Sequence, residues 1–160
     1  MESERAKVKT IVTVEKYRNE KDFLEGKPYK REESQHNILL NEGCNLLWTL
    51  ACGGTGTPYD NANARVGVGD SNAGEDPAQT GLQGGNQLYK SMDSGYPTYG
   101  TLRKMVFKGT YGSAEANWHW LEYTVDNGSV AGVNINRKVA DHGTKTSGEV
   151  WTLTITFTFA

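Results

Sequence analysis

The sequence predicts a mainly β fold: an antiparallel β-sandwich or jelly-roll-like barrel with one short α-helix and an N-terminal strand or arm. Three observations carry that expectation. The chain ends on "VWTLTITFTFA", where Trp151, Leu153, Ile155, Phe157 and Phe159 alternate with Thr152, Thr154, Thr156 and Thr158. That period of two sends successive side chains to opposite faces of a sheet. From Thr55 onward, short alternating stretches are separated by Gly, Asn, Asp and Pro, the residues that turn a chain between antiparallel strands. Only one segment reads as a helix, and one helix cannot supply the crossovers of a parallel sheet.

Taken in chain order, "KVKTIVTVEKY" alternates Val8, Thr10, Val12 and Val14 against Lys7, Lys9, Ile11 and Thr13, a strand pattern. "RNEKDFLEGKPYKREES" follows, polar and broken by Gly26 and Pro28, and reads as a long turn or exposed hairpin. Residues 1–36 carry nine basic and eight acidic side chains, against eight and eleven in all the rest. This change of composition divides the chain into a charged N-terminal strand with an extended hairpin or arm, 1–36, and a β-sandwich body, 37–160. The hairpin is either a solvated sheet edge or an arm that docks on a partner. In the second case Phe23, Leu24 and Tyr29 are its anchors, with Lys30 and Arg31 beside them.

The helix is expected near 41–52, within "HNILLNEGCNLLWTLACGG". Asn41 stands at the cap position, Leu46, Leu47, Trp48 and Leu50 form the apolar surface, and Gly53-Gly54 stops it. Beyond it, "ARVGVG" reads as a short buried strand. "LRKMVFKGTY" places Met105 and Phe107 opposite Lys104, Val106 and Lys108. "AEANWHWLEYTV" places Trp118 and Trp120 opposite His119, Leu121 and Tyr123. "VNINRKV" aligns Val133, Ile135, Arg137 and Val139.

The totals exclude several classes. A chain of 160 residues with a formal charge of −2 suits one domain with a real core and gives no field for nucleic acid or anionic lipid. No apolar run approaches the roughly 20 residues that span a bilayer. Met1 to Arg5 does not open as a secretory signal, so synthesis in a cytoplasm is expected. Cys44 and Cys52 are the only cysteines. On a helix they lie about 12 Å apart, beyond the roughly 7 Å of a disulfide, and are expected as small buried or half-buried apolar residues.

The stretch "VGVGDSNAGED" admits several chemical readings. Gly69 and Gly74 have phosphate-loop spacing, but Glu75 and Asp76 stand where Lys and a hydroxyl residue are needed. Gly69-Asp70-Ser71, Gly132-x-Asn134 and Asp141-His142 are similar to the blocks of Gly-Asp-Ser hydrolases. Val139, however, occupies the place of the orienting Asp. Glu115 and Glu122, on one strand, lie about 23 Å apart, too far for a glycosidase pair. His36, His119 and His142 lack ligand spacing, and no EF-hand pattern occupies Asp60 to Asp76. The aromatic residues Trp118, Trp120, Trp151, Tyr89, Tyr96, Tyr99, Tyr111 and Tyr123 read as sandwich core ahead of a sugar-stacking platform. No catalytic, cofactor or metal residue is assigned, and the stretch reads as a strand running into a turn held by Asp70, Ser71 and Asn72.

The order of motifs adds a resemblance. "NILLNEGCNLLWTLACGG", "ARVGVGDS", "TGLQG" with Lys90, "EANWHWLEYTV", "VNINRKV" and "GTKTSGEVWTLTITF" follow one another over residues 37–160. This order resembles a group of small virion structural proteins of tailed bacteriophages. The resemblance implies a non-enzymatic, mostly β protein, made in the host bacterial cytoplasm and located in the virion. It implies a homo-oligomer, possibly a trimer in a local three-fold position, that binds the major capsid protein as a decoration (cement) protein. A tail-associated adaptor or fibre module, bound to tail proteins, is the alternative, and a glycan-binding host-attachment module comes third. No residue-level site is carried over.

Overall fold

The computed structural model describes residues 7–128 and 132–160. Alternation builds the first sheet: β1 (Val8–Tyr17), β2 (Lys30–Gln35), β6 (Thr98–Thr101), β7 (Lys104–Tyr111) and β10 (Val150–Phe159), in the order β2-β1-β10-β7-β6. The second sheet has the order β3-β9-β8-β4-β5, from β3 (Ile38–Leu39), β4 (Arg65–Gly69), β5 (Gln87–Ser91), β8 (Glu122–Asp126) and β9 (Asn136–Val139). Every strand pair is antiparallel. The sheets stack face to face, and the architecture is an open sandwich rather than a closed barrel.

Between them lies one core. Val12, Val14, Phe107, Tyr111, Leu153, Ile155 and Phe157 from the first sheet meet Val66, Val68, Tyr123 and Val125 from the second. Trp120 and Trp151 fill one end, ring centroids 4.9 Å apart, with Tyr111 also 4.9 Å from Trp120. Each such side chain contributes about 1.5–3 kcal/mol by leaving water. The terminal strand thus keeps its predicted faces as far as Phe157, while Phe159 lies beyond the second sheet and is exposed.

β1 pairs with β10 from Val8↔Phe159 to Tyr17↔Val150 and lies between β10 and β2. The first sheet therefore runs across the boundary drawn at residue 36. The predicted hairpin is β1 and β2, carrying at its tip the single turn α1 (Glu20–Leu24), which Asn19 caps through Asp22 N–H at 2.8 Å. Polar composition hid that turn.

α2 (Asn41–Ala51) is the predicted helix, but its N-cap is buried Leu40 and not Asn41, and no side chain caps it. Tertiary contacts replace the cap: Leu40 N–H reaches Ile135 O and Asn41 N–H reaches Pro77 O. The helix lies on the second sheet through Gly43, where a Cβ would collide with the backbone of Asn134 and Ile135. Cys44 is half-buried as expected, whereas Cys52 ends the helix in solvent, and both are free thiols.

Two strand readings slip. In "EANWHWLEYTV", Ala116 takes a φ of 50° and the regular strand begins only at Glu122. Trp120 and Tyr123 then share the core, centroids 6.3 Å apart, instead of opposing each other. In "VNINRKV", the Asn136 side chain, not a backbone carbonyl, accepts Val125 N–H at 3.0 Å. Alternation breaks there, so Ile135 enters the core while Arg137 bonds to Glu122.

Candidate functional site

Three groups of polar side chains stand out. The first covers the outer face of the second sheet. Gly67 and Gly69 leave room on β4 for the ring of Tyr89 and the carboxylate of Glu122. Glu122 and Arg137 pair there with zero solvent exposure. Glu122 also accepts the backbone N–H groups of Gln83 and Gly84, at 2.9 and 2.7 Å. Arg137 Nη1 donates to Ala73 O, Gly74 O and Gln79 Oε1. One ion pair thus pins the long loop between β4 and β5. Ser71 Oγ accepts Ala73 N–H within the turn as expected, whereas Asp70 accepts from Asn86 at the far end of the loop and so closes the loop rather than the turn.

Along the same face Arg65 forks onto Asp126, Nε to Oδ1 at 3.0 Å, and its guanidinium lies 4.7 Å above the Tyr89 ring. Burial raises the Asp126 carboxyl above the usual range against the pull of Arg65. With Gln87 and Asn134 these residues line an open cleft of about 420 Å³. Asn134 is spent on Thr124, Glu42 and Thr80, and Gln87 on Leu82 O and Gly84 O. The single carboxylate lining the cleft is committed to Arg65, so the lining holds no acid–base pair. A neighbouring cleft of about 430 Å³, between Leu46 and Val133, is lined by no charged side chain.

The second group joins the hairpin to the loop before β10. Ser34 Oγ lies 3.1 Å from His142 Nε2, and His142 Nδ1 lies 2.8 Å from Glu32 Oε2. This order of groups suits a nucleophile, a base and an orienting acid. Here it is tied down: Lys16 and Lys30 hold Glu32 at 3.1 and 2.5 Å, Lys16 Nζ donates to His142 O, and His142 is 5% exposed, with Ser34 and Glu32 half-buried. Neither cleft reaches it. Burial pushes Glu32 up, but hydrogen bonds from Lys30, His142 and Lys16 outweigh it and hold the carboxyl at about 2. Burial lowers His142 below 6.5, against the pull of Glu32, so the neutral ring donates Nδ1–H to the carboxylate. The group acts as a latch on β2. Sequence reasoning missed it because its members lie 108 and 110 residues apart.

The third group surrounds Lys145, a fully buried lysine that donates to Gly112 O and Asn117 Oδ1.

The predicted arm residues separate by role. Phe23 packs edge-on against Tyr17 at 5.3 Å, and Leu24 is 75% exposed. Tyr29 is partly exposed, donates to Glu149 at 2.5 Å and lies beneath the Arg18 guanidinium. Lys30 and Arg31 are exposed and pair along their own strand with Glu32 and Glu33. Ser71 and His142 do not meet, and Asp141 pairs with His119 at 2.6 Å. Trp120, Trp151, Tyr111 and Tyr123 form the predicted aromatic core with Trp118 half-buried against it, whereas Tyr89 and Tyr96 are half-buried outside that core and Tyr99 is 76% exposed; a platform of the three tryptophans does not form. Among the described residues no His, Cys, Asp or Glu cluster fits a metal ion. Among the described residues no helix is long and apolar enough to cross a membrane.

No family model, curated protein or solved structure matches this chain.

Proposed function

We propose that the chain is a structural protein of a tailed-phage virion, and within that class a decoration protein that binds the major capsid protein and stabilises the shell. The observation that carries the reading is the hairpin tip. It presents Leu24, 75% exposed, with Tyr29, Lys30 and Arg31, on a strand pair latched to a rigid sandwich. The order of motifs over residues 37–160 supports the same class. So does the chemistry of the polar groups, whose donors and acceptors are largely consumed in holding loops. Attachment through a small, mixed apolar and charged patch becomes strong when repeated over symmetric sites, as a homo-oligomer such as a trimer on a shell provides.

Co-sedimentation with undecorated shells of the encoding phage tests this. The purified chain is expected to pellet with the shells. A Leu24→Glu/Arg31→Glu variant is expected to bind at least about tenfold more weakly, as loss of an anchor of at least about 1.4 kcal/mol does, with unchanged thermal unfolding. A chain that ignores shells but binds purified tails moves the protein to the tail, the alternative within the same class.

A further inference from the structure

Two motifs singled out in the sequence, "EAN" and the lysine of "GTKTSG", meet in space without any part in the arm. Lys145 has no solvent exposure. Its Nζ donates to Gly112 O at 2.8 Å and to Asn117 Oδ1 at 2.8 Å, and among the described residues no carboxylate pairs with it. A buried ammonium without an anionic partner is costly, and neutralisation is the usual relief. A neutral lysine is a primary amine nucleophile, and here a primary carboxamide lies against it.

The surroundings hold both partners in place. Lys145 N–H bonds to Trp118 O at 3.1 Å, one residue from Asn117. Asn117 Nδ2 donates to Ser113 O, and Gly148 N–H donates to the same carbonyl, which ties the two loops together on both sides of the pair. Glu115 accepts Gly112 N–H at 2.7 Å and is clamped by Lys90 at 2.5 Å, which holds the residue whose carbonyl accepts from Lys145. Asn117 itself is exposed, which leaves a departing group a path to water.

We propose that the Lys145 ε-amine and the Asn117 carboxamide condense into an intramolecular isopeptide bond linking the β7–β8 loop to the β9–β10 loop. The neutral Nζ forms a bond to Asn117 Cγ, and the Cγ–Nδ2 bond breaks. A proton passes from Nζ to Nδ2, which leaves as ammonia. No electrons change hands and no co-reactant is needed. Orientation of two groups within one fold replaces the activation that a bimolecular amide exchange lacks. Burial, set against the charges of Glu149 and Glu115, lowers Lys145 from 10.5 to about 8, which raises its neutral fraction near physiological pH. The bond closes a ring containing β8 and β9, and this holds whether or not the protein sits on a capsid.

Intact mass spectrometry of the denatured full chain tests it. The expected mass is one ammonia, about 17 Da, below the sequence mass, with a branched proteolytic fragment joining Asn117 to Lys145. The Lys145→Arg and Asn117→Ala variants are each expected at their full sequence mass. A wild-type chain at full mass overturns the proposal, and that reading does not depend on any variant folding. An ammonia loss that persists in Lys145→Arg, or that maps to a backbone imide at Asn127-Gly128, overturns it equally.

Discussion

Glu122 Oε2 and Arg137 Nε lie 2.8 Å apart with neither side chain exposed, and between them they hold the loop from Asp70 to Asn86 against the second sheet. Breaking a buried pair leaves the other charge uncompensated, which costs about 3–5 kcal/mol. Arg137→Met is therefore expected to lose stability on that scale in urea denaturation. Its loop amides, Gln83 and Gly84 first, are expected to exchange hydrogen faster. A change below about 1 kcal/mol, the scale of an exposed pair, would show that the pair is not what fixes the loop.

Gly43 is a point of close approach between α2 and the backbone just before β9. A methyl group there meets the Asn134 carbonyl and the Ile135 Cα, backbone atoms that cannot rotate away. Gly43→Ala is expected to destabilise by about 1–3 kcal/mol, as overpacking does, although alanine is the better helix former. Chemical denaturation reads the sign directly: a gain in stability contradicts the close approach.

The latch on β2 sets an acid limit. Folding holds His142 below 6.5, so the folded chain binds fewer protons there than the unfolded one. The associated stability is complete above pH 6.5 and falls as the pH drops below it. Glu32, held at about 2 against an ordinary 4.5, gives a second decline below pH 4.5, with Glu115 and Glu149 acting in the same direction. Lys16, Lys30 and Asp141 are the other charged groups around the ring. In urea titrations at decreasing pH, His142→Gln is expected to remove the first decline and keep the second. An unchanged first decline in that variant would assign it elsewhere.

What could be read from the sequence was local. Trp151 to Phe157 declared their faces because β10 is regular over its whole length, and α2 declared itself through Leu46, Leu47 and Leu50. Asn41 misled as a cap because Leu40 is buried and its amide is satisfied by the distant carbonyl of Ile135. Trp120 and Tyr123 misled because the chain from Ala116, with its φ of 50°, to Leu121 is not regular strand, so the alternation begins only at Glu122. Leu102 and Arg103 turn the β6–β7 hairpin in the same unannounced way, with φ of 52° and 56°.

The polar groups were harder still. Glu122 in "WLEYTV" was visible as a charge inside an otherwise largely apolar strand, and that contrast was the available signal; Arg137 in "NINRKV" sits among Asn134, Asn136 and Lys138 and gave none. Nothing along the chain couples Ser34 to His142, or Asn117 to Lys145, since the first contact joins strand β2 to the loop before β10 and the second joins two loops distant in sequence.

The central claim is a place in the virion, and copy number tests it most directly. If the proposed virion function holds, quantitative mass spectrometry of purified particles from the source of this chain measures it against the major capsid protein. The account predicts copy numbers on the scale of the shell's local three-fold positions, in the hundreds for a large capsid. A handful of copies per particle would contradict the shell position and favour the tail, and absence from particles would contradict the virion reading altogether.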